Sequence, residues 1–292
     1  MDFVGKQKIW YTITLILLVI CLGSFIFQGL NLGNDFTGGV LFQLKFADQN
    51  IGIEEVRGVL TQFGHGDSGI QIGGDNSITI RTDDMAQSQQ EQVLDGFEQL
   101  GEYDLLRVEK VGPVFGAELR KAAILALVIA SVLQIIYITF RFEFKFGITT
   151  IVTVLIDTIL AIGLFSLLQL EVDGNFVAAV LTIVGYSIND KIVILDRIRE
   201  NLRNSKKSDD FAELVNTSIR QSLTRSIYTG ISVIFVLVTL LVWGGETTRN
   251  FSLAMLVGVI SGCLTSIFIA GPLLVNLKVD KKTTGKLARA KS

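Results

Sequence analysis

Three consecutive polar residues, Asn189, Asp190 and Lys191, interrupt an apolar stretch that occupies residues 176–195. About 20 helical residues span the hydrocarbon core of a bilayer, so this stretch is long enough to cross a membrane. An ionisable side chain held in hydrocarbon costs about 2.5–3.5 kcal/mol on insertion scales. An acid and a base kept there at that cost indicate a role in handling ions or protons.

The composition assigns the chain to the membrane proteins. Of its 292 residues, 49% are hydrophobic and only 18% are charged, whereas soluble domains contain about 25% charged residues. The apolar core of the first apolar run exceeds that of a signal peptide, and no A-x-A-like cleavage site follows, so we predict a retained helix. We predict a multi-pass α-helical membrane protein with six transmembrane helices, at residues 10–30, 122–140, 147–168, 176–195, 227–243 and 251–277.

Two further residues could act together with Asp190. Asp157 lies about ten residues into the third run, roughly 15 Å along a helix and therefore near mid-membrane. Arg225 precedes the fifth run, at a depth similar to that of Asp190. Burial favours the protonated form of a carboxyl and a nearby Arg favours the charged form, so an acid held between these effects can take up and release a proton. We predict a proton pathway through Asp190, Arg225, Asp157 and Asn189; the alternative is that these groups only join helices through hydrogen bonds.

The distribution of Lys and Arg predicts the orientation. Basic residues collect before the first run, between the second and third, between the fourth and fifth, and after the sixth. These segments share one side of the membrane only if the chain crosses it six times, and that side is the cytoplasm, so both termini are predicted to be cytoplasmic. The predicted domains are the N-terminus with helix 1 (1–30), an external domain (31–118), helices 2–6 with a cytoplasmic loop at about 196–226 (119–277), and a basic cytoplasmic tail (278–292).

The external segment is acidic, which argues against a nucleic-acid partner. Alternating and helical periodicities predict the order βαββαβ, with elements at 40–46, 53–63, 70–72, 77–82, 87–100 and 105–111. This order predicts a ferredoxin-like α+β domain between helices 1 and 2. The segment contains no phosphate loop, no nucleophile with a base and no metal-ligand spacing. We therefore predict a binding or lever domain, not an enzyme, with no cofactor and no metal.

Small residues recur every four positions in the sixth run, among them Gly258 and Gly262. A stripe of this kind lets a second helix approach closely in a membrane. We therefore predict a helix-packing role for both glycines.

Several motifs resemble those of a known family. The segment Asp35-Phe36-Thr37-Gly38-Gly39 resembles the Asp-Phe-x-Gly-Gly signature of the SecD/SecF family of protein-export membrane proteins. The resemblance extends from about residue 8 to residue 277, and motifs of the SecF branch occur in the same order at 111–113 (VGP), 185–190 (GYSIND), 196–201 (DRIREN) and 244–247 (GGET). Lys191 departs from the pattern, since a small or β-branched residue is expected there.

The resemblance implies a subunit of the bacterial Sec machinery, within the resistance-nodulation-division superfamily, in which two six-span halves work together. It implies SecD as the other half, the SecYEG channel, the SecA motor and a YajC-like accessory subunit as partners, exported polypeptides as substrates, and the cytoplasmic membrane as the location. It also implies that the proton-motive force drives export, with Asp190 and Arg225 in proton passage and Asp157 at another polar position of the core. Protonation of Asp190 is then expected to weaken its attraction to Arg225 or Lys191 and to let the fourth and fifth helices shift. The expected coupling ion is H⁺, although a carboxylate in this setting could serve Na⁺ instead.

Two other functions use the same architecture. A proton-coupled exporter of lipids or small molecules would need a portal in the external domain, for which the compact βαββαβ order leaves little room. In a non-transporting scaffold, the intramembrane acids would only hold subunits together. Co-purification with SecD after substitution of Asp190 separates the scaffold from the energy-coupling subunit.

Overall fold

A computed structural model describes residues 2–48, 50–73, 77–141, 143–205 and 210–277 of the chain. The basic tail predicted at 278–292 lies outside these residues. The chain divides into two compact units, one formed by residues 1–31 together with 126–292 and the other by residues 32–125. They are called the membrane unit and the external unit below.

In chain order, the elements are α1 (Gln7–Gln28), β1 (Asn31–Leu32), α2 (Asn34–Thr37), β2 (Gly39–Phe46), α3 (Ile53–Gln62), β3 (Gly69–Ile72), β4 (Ser77–Thr82), α4 (Gln87–Glu98), β5 (Tyr103–Val111), α5 (Pro113–Arg141), α6 (Phe144–Leu167), β6 (Glu171–Val172), α7 (Gly174–Asn204), α8 (Phe211–Trp243), α9 (Glu246–Thr265), a π-helical turn (Ser266–Ala270) and α10 (Gly271–Asn276).

The six predicted transmembrane helices are confirmed in the described part of the chain. Helices α1, α5, α6, α7 and α8 and the continuous segment Thr247–Asn276 are long and apolar enough to cross a membrane. The apolar residues of α1 and α5 are largely exposed, as expected for surfaces that face lipid. The sixth span is the most buried of the set, so the membrane unit is organised around it.

Helices α7 and α8 both extend into the segment 196–226, so this predicted connection between the fourth and fifth spans is largely helical. Apolar residues continue at helical spacing beyond the membrane runs, and Ile198 of α7 is buried in one cluster with Val215 and Ile219 of α8. Asp210 caps the start of α8, since its carboxylate accepts a hydrogen bond from a backbone N–H of the first turn. Burial of these apolar faces, which the charged residues of this segment obscure in the sequence, explains the longer helices.

The external unit has the predicted ferredoxin-like topology. Its sheet has the strand order β3-β4-β2-β5, and every neighbouring pair is antiparallel. Strands β2 and β3, which α3 connects, are therefore parallel to each other with β4 between them. Strands β4 and β5 enclose β2 in the same way, which is the interlocked split β-α-β arrangement of this fold.

Strand alternation builds the core of the external unit. Phe42 and Leu44 of β2 are fully buried on the face that α3 and α4 cover. The ring of Phe42 meets that of Phe97 edge to face, with 6.5 Å between the ring centroids. A Cβ atom at Gly96 would lie 2.7 Å from Cγ1 of Val59, so the absence of a side chain there brings α3 and α4 together.

Candidate functional site

Four polar side chains form a cluster that is buried between α6, α7 and α9: Asp157, Ser187, Lys191 and Thr265. The Nζ atom of Lys191 lies 2.6 Å from Oδ2 of Asp157, 2.7 Å from Oγ of Ser187 and 3.1 Å from Oγ1 of Thr265. The Ser187 hydroxyl donates to Oδ2 of Asp157 at 2.5 Å, and the Thr265 hydroxyl donates to Oδ1 at 2.8 Å. The side chains of Lys191 and Asp157 are 0% exposed. These residues are called the polar cluster below.

Helical spacing brings the polar cluster together. Ser187 and Lys191 are four residues apart on α7, so their side chains lie one above the other on the same face. Asp157 approaches that face from α6. Thr265 reaches it from the last residue of α9, immediately before the π-helical turn begins.

The polar cluster satisfies its own charges and hydrogen bonds. An ammonium group has three donors, and Lys191 has three oxygen atoms within hydrogen-bond distance. Both oxygens of the Asp157 carboxylate accept hydrogen bonds. A buried ion pair offsets its desolvation cost only when the geometry is good and the remaining hydrogen-bonding groups are satisfied, and this pair meets both conditions.

Asp190 is in the opposite situation. Only 8% of its surface is exposed, and its Oδ2 atom is buried with no hydrogen-bond partner among the described residues. Consecutive residues of an α-helix point about 100° apart, so Asp190 does not share the face on which Lys191 meets Asp157. A buried carboxylate oxygen that accepts no hydrogen bond is costly. Asp190 is therefore the buried acid of this site whose hydrogen bonding is incomplete among the described residues.

The structure does not bring Arg225 and Asp190 together. Arg225 is exposed, and no hydrogen bond or ion pair joins it to Asp190 in the ranges described. The buried face of α8 at this depth carries Ser222 and Ser226, and Arg225 lies beside that face. The Lys191 ammonium forms its ion pair with Asp157, and no hydrogen bond joins it to Asp190 among the described residues.

Asn189 lies on an exposed face of α7. Its side chain is exposed although it occupies a membrane span. The exposed residues on this face follow each other at intervals of three or four: Asn175, Ala178, Thr182, Gly185 and Asn189. Small residues and amide groups together are typical of surfaces where membrane helices pack against each other. This set is called the α7 face below.

Gly258 and Gly262 lie where α9 passes close to α7. A Cβ atom at Gly258 would come within 2.3 Å of Cγ1 of Ile183, so the side chain of Ile183 on α7 packs directly against the backbone of α9. At Gly262, a Cβ atom would stand 3.8 Å from Oδ2 of Asp157 and from Cβ of Ser187. Gly262 therefore borders the polar cluster, and Gly258 lies at the neighbouring apolar contact between α9 and Ile183 of α7.

The segment 35–39 forms a tight turn in the external unit. Asp35, Phe36 and Thr37 belong to the short helix α2, and Phe36 is buried. Gly38 and Gly39 then adopt φ angles of 79° and 131°, which side chains disfavour. A Cβ atom at Gly38 would lie 2.7 Å from Cα of Pro113, the first residue of α5, so the turn fits directly against the start of that helix.

Three members of the polar cluster are not among the site residues predicted from the sequence, namely Ser187, Lys191 and Thr265. Lys191 is conspicuous in the sequence as a base inside an apolar run, but the carboxylate that it binds is not that of its sequence neighbour Asp190. The spacing of four between Ser187 and Lys191 was the available signal that both face α6. Nothing in the sequence distinguished Thr265 from other hydroxyl residues of the sixth span.

Comparisons with known proteins agree with this architecture. Residues 90–280 match the family model described as protein export membrane protein SecD/SecF, C-terminal, and residues 23–49 match that of the SecD/SecF GG motif. The chain belongs to the SecD/SecF family. The glycines of the GG motif are therefore the two that form the tight turn against α5.

Relatives within the SecD/SecF family match almost the whole chain. A protein translocase subunit SecF from Acidaminococcus fermentans is 44% identical, over 92% of this chain and 94% of the relative. One from Pseudomonas aeruginosa is 38% identical, over 96% of this chain and 92% of the relative. The crystal structure of SecDF, a translocon-associated membrane protein from Thermus thermophilus, superposes with a TM-score of 0.88 at 34% identity.

The superposition covers 95% of this chain but only 38% of the SecDF chain, so this chain corresponds to about two fifths of that protein. Its bacterial relatives and its six spanning helices make it a protein of the bacterial inner membrane.

Proposed function

We propose that the chain is a SecF subunit of a bacterial Sec translocase and that it works with SecD to drive protein export with the proton-motive force. The SecYEG channel, the SecA motor and a YajC-like subunit complete the proposed machinery, and exported polypeptides are its substrates. The observation that carries the proposal is the unpartnered Asp190 carboxyl in a chain of this family.

Energies support Asp190 as the coupling acid. A buried polar group without a partner costs about 1–3 kcal/mol, and more when it is charged. A proton that crosses a potential of 100 mV releases about 2.3 kcal/mol. Because the two energies are of the same order, a proton gradient is sufficient to switch the carboxyl between its two forms and to change the packing around α7.

The α7 face supports SecD as the partner. Asn189 exposes an amide at a position where lipid would offer it no hydrogen bond. A second set of spanning helices would cover the face and supply donors and acceptors. SecDF, whose chain extends well beyond the region matched here, carries enough additional protein to include such a set.

The proposed orientation of the chain in the membrane follows from the positive-inside rule. Basic residues on one side of the six helices favour cytoplasmic termini and place the external unit on the opposite side, where polypeptide emerges. A short segment links α1 to the external unit, and α5 continues from the external unit into the membrane unit without a break, so a shift of the membrane helices would move the external unit. We propose that this domain acts as the lever of export.

The test compares proton-dependent export in membrane vesicles that contain SecD, the channel, the motor and either the native chain or the variant Asp190→Asn. We expect the variant to keep ATP-driven export and to lose the stimulation by the proton gradient, together with gradient-driven proton flux. Glu213→Gln is the control, because Glu213 is an exposed acid in the first turn of α8.

Co-purification distinguishes the alternatives. Asp190→Asn should still be recovered with SecD, since the role of the carboxyl is to bind protons. Loss of SecD from the variant would support the scaffold function instead. Export that responds to the gradient as strongly in Asp190→Asn as in the native chain would disprove the proposed coupling.

A further inference from the structure

The Lys191 ammonium sits in a cage of oxygen atoms. Its three neighbours are a carboxylate oxygen of Asp157 and the hydroxyl oxygens of Ser187 and Thr265, at 2.6, 2.7 and 3.1 Å. All three oxygens and the nitrogen belong to buried side chains. The mechanism proposed above, which depends on Asp190, gives this cage no role.

Carboxylate and hydroxyl oxygens are ligands that small, hard cations prefer. A cage with one carboxylate and two hydroxyls has the charge and the donor atoms for one monovalent cation. In this chain that position is filled by an ammonium group, which has the same charge but is covalently tethered to α7. A tethered cation cannot be exchanged or transported.

We propose that Lys191 is the residue that determines ion specificity in this chain, because its ammonium occupies a monovalent-cation site and excludes Na⁺ from it. The inference rests on the proposed ion-driven function and assigns coupling to H⁺ at Asp190. It also identifies Asp157, Ser187 and Thr265 as the ligand set that would hold Na⁺ in the absence of Lys191.

The surroundings leave room for such an ion. Removal of the fully buried Lys191 side chain opens a space next to Asp157, and Gly262 adds no side chain on that side. The Asp157 carboxylate would then be buried without a counter-ion, which is strongly unfavourable. Binding of a cation from solution would offset this cost. Na⁺ is a small, hard cation of the same charge as the ammonium group that it would replace.

The experiment measures ²²Na⁺ binding and thermal unfolding of the purified full-length chain with its SecD partner, in sodium chloride and in choline chloride of equal ionic strength. The native chain should bind no Na⁺ at a saturable site that depends on Asp157. Lys191→Ala should bind one Na⁺ per chain, and saturating Na⁺ should raise its unfolding midpoint by a few degrees, as expected for a ligand that binds only the folded state.

Two matched variants test the cage itself. Lys191→Met fills the space without an ammonium, so it should not gain Na⁺ binding. Lys191→Ala combined with Asp157→Asn lacks the carboxylate and should lose the binding that Lys191→Ala gained. If Lys191→Ala does not fold in either salt, Lys191→Thr, which supplies a further hydroxyl oxygen, takes its place.

Saturable Na⁺ binding to the native chain that Asp157→Asn abolishes would overturn the proposal. The same holds if Lys191→Ala and its combination with Asp157→Asn respond identically to Na⁺. The native-chain measurement is decisive even if every Lys191 variant fails to fold. Binding is measured without export, so failure of the cation cage is distinguishable from failure of the export role, which only the Asp190 test addresses.

Discussion

Lys191 and Asp157 form an ion pair with 2.6 Å between Nζ and Oδ2, and neither side chain has exposed surface. The pair joins α6 to α7, the helix that also carries Asp190. Any motion of α7 relative to α6 must therefore preserve this pair or break it at considerable cost. The pair is a fixed point about which the helices near Asp190 can move.

Removal of one member of this pair should destabilise the membrane unit more than removal of both. Lys191→Met or Asp157→Asn alone leaves a buried charge unpaired, which costs about 3–5 kcal/mol. The double variant removes both charges, so its loss of stability should be well below the sum. Denaturant unfolding of the detergent-solubilised chain gives the free energies for the double-mutant cycle. Additive losses would show that the two side chains are energetically independent.

Gly258→Ala should destabilise the chain by about 1–3 kcal/mol because the new methyl group overlaps Ile183 across the contact between α7 and α9. Gly185→Ala is the control, since a Cβ atom there meets nothing within 4 Å. Unfolding midpoints of the isolated chain provide the comparison. Ile183→Ala removes the overlapping side chain, so the double variant Gly258→Ala/Ile183→Ala should lose less stability than the sum of its two single variants. Equal midpoints for Gly258→Ala and Gly185→Ala would contradict this packing.

Gly185→Ala also tests the α7 face. The substitution should not change the stability of the isolated chain, but the added methyl group should protrude from the surface that we propose SecD covers. Recovery of SecD with the tagged chain is therefore expected to fall, and to fall further for Gly185→Leu. Tyr228→Leu on α8, another exposed position within a membrane span, is the control. Unchanged recovery for both Gly185 variants would place the SecD contact elsewhere.

Gly38→Ala should destabilise the external unit, because the residue has a φ angle of 79° and its Cβ would overlap the backbone of Pro113. Backbone strain of this kind costs about 1–3 kcal/mol. Gly58→Ala in α3 is the control: nothing lies near its Cβ, and alanine favours a helix by about 0.5–1 kcal/mol. Hydrogen exchange of the β2 amides reports the local stability, and faster exchange is expected only for Gly38→Ala.

A pH-dependent contact holds the start of the chain against α8. Oδ1 of Asp2 accepts hydrogen bonds from the backbone N–H of Gly5 at 2.7 Å and from Nδ2 of Asn216 at 3.0 Å. These bonds hold the pKa of Asp2 below its ordinary value of 3.8 in the folded chain. The contribution is therefore complete above the unfolded pKa and is lost as the pH falls through the lowered one. Exchange of the Gly5 amide should accelerate only at acidic pH, and Asp2→Asn should remove that dependence.

The fold could be predicted to the extent that it depends on local periodicity. The apolar runs give the six spans directly, and the alternation at residues 40–46, followed by helical spacing at 53–63, gives the first part of the βαββαβ order. The parts of α7 and α8 that extend beyond the apolar runs do not follow from hydropathy in the same way. Their apolar positions, such as Ile198 and Val215, lie among charged residues and acquire meaning only when the two helices pack together.

The candidate site shows a related limit. The insertion cost of a charge draws attention to Asp190 and Asp157, but their partners cannot be predicted from sequence neighbours. Asp190 and Lys191 are adjacent in the chain and point to different sides of α7, whereas Lys191 and Asp157 are 34 residues apart and share a hydrogen bond. In a helical bundle, the partner of a side chain depends on the angle of that side chain around the helix axis and on its position along the axis.

The π-helical turn at Ser266–Ala270 has a consequence for how the sixth span tolerates changes in length. The turn contains one residue more than an α-helical turn. This extra residue changes the direction around the helix axis in which Gly271, after the turn, points relative to Thr265, before it. Thr265 faces Asp157, while Gly271 fits against Ile219 of α8. Deleting a single residue from the turn would swing everything after it by about 100° and misdirect one of these two contacts. The number of residues in this turn is therefore constrained as tightly as their identity.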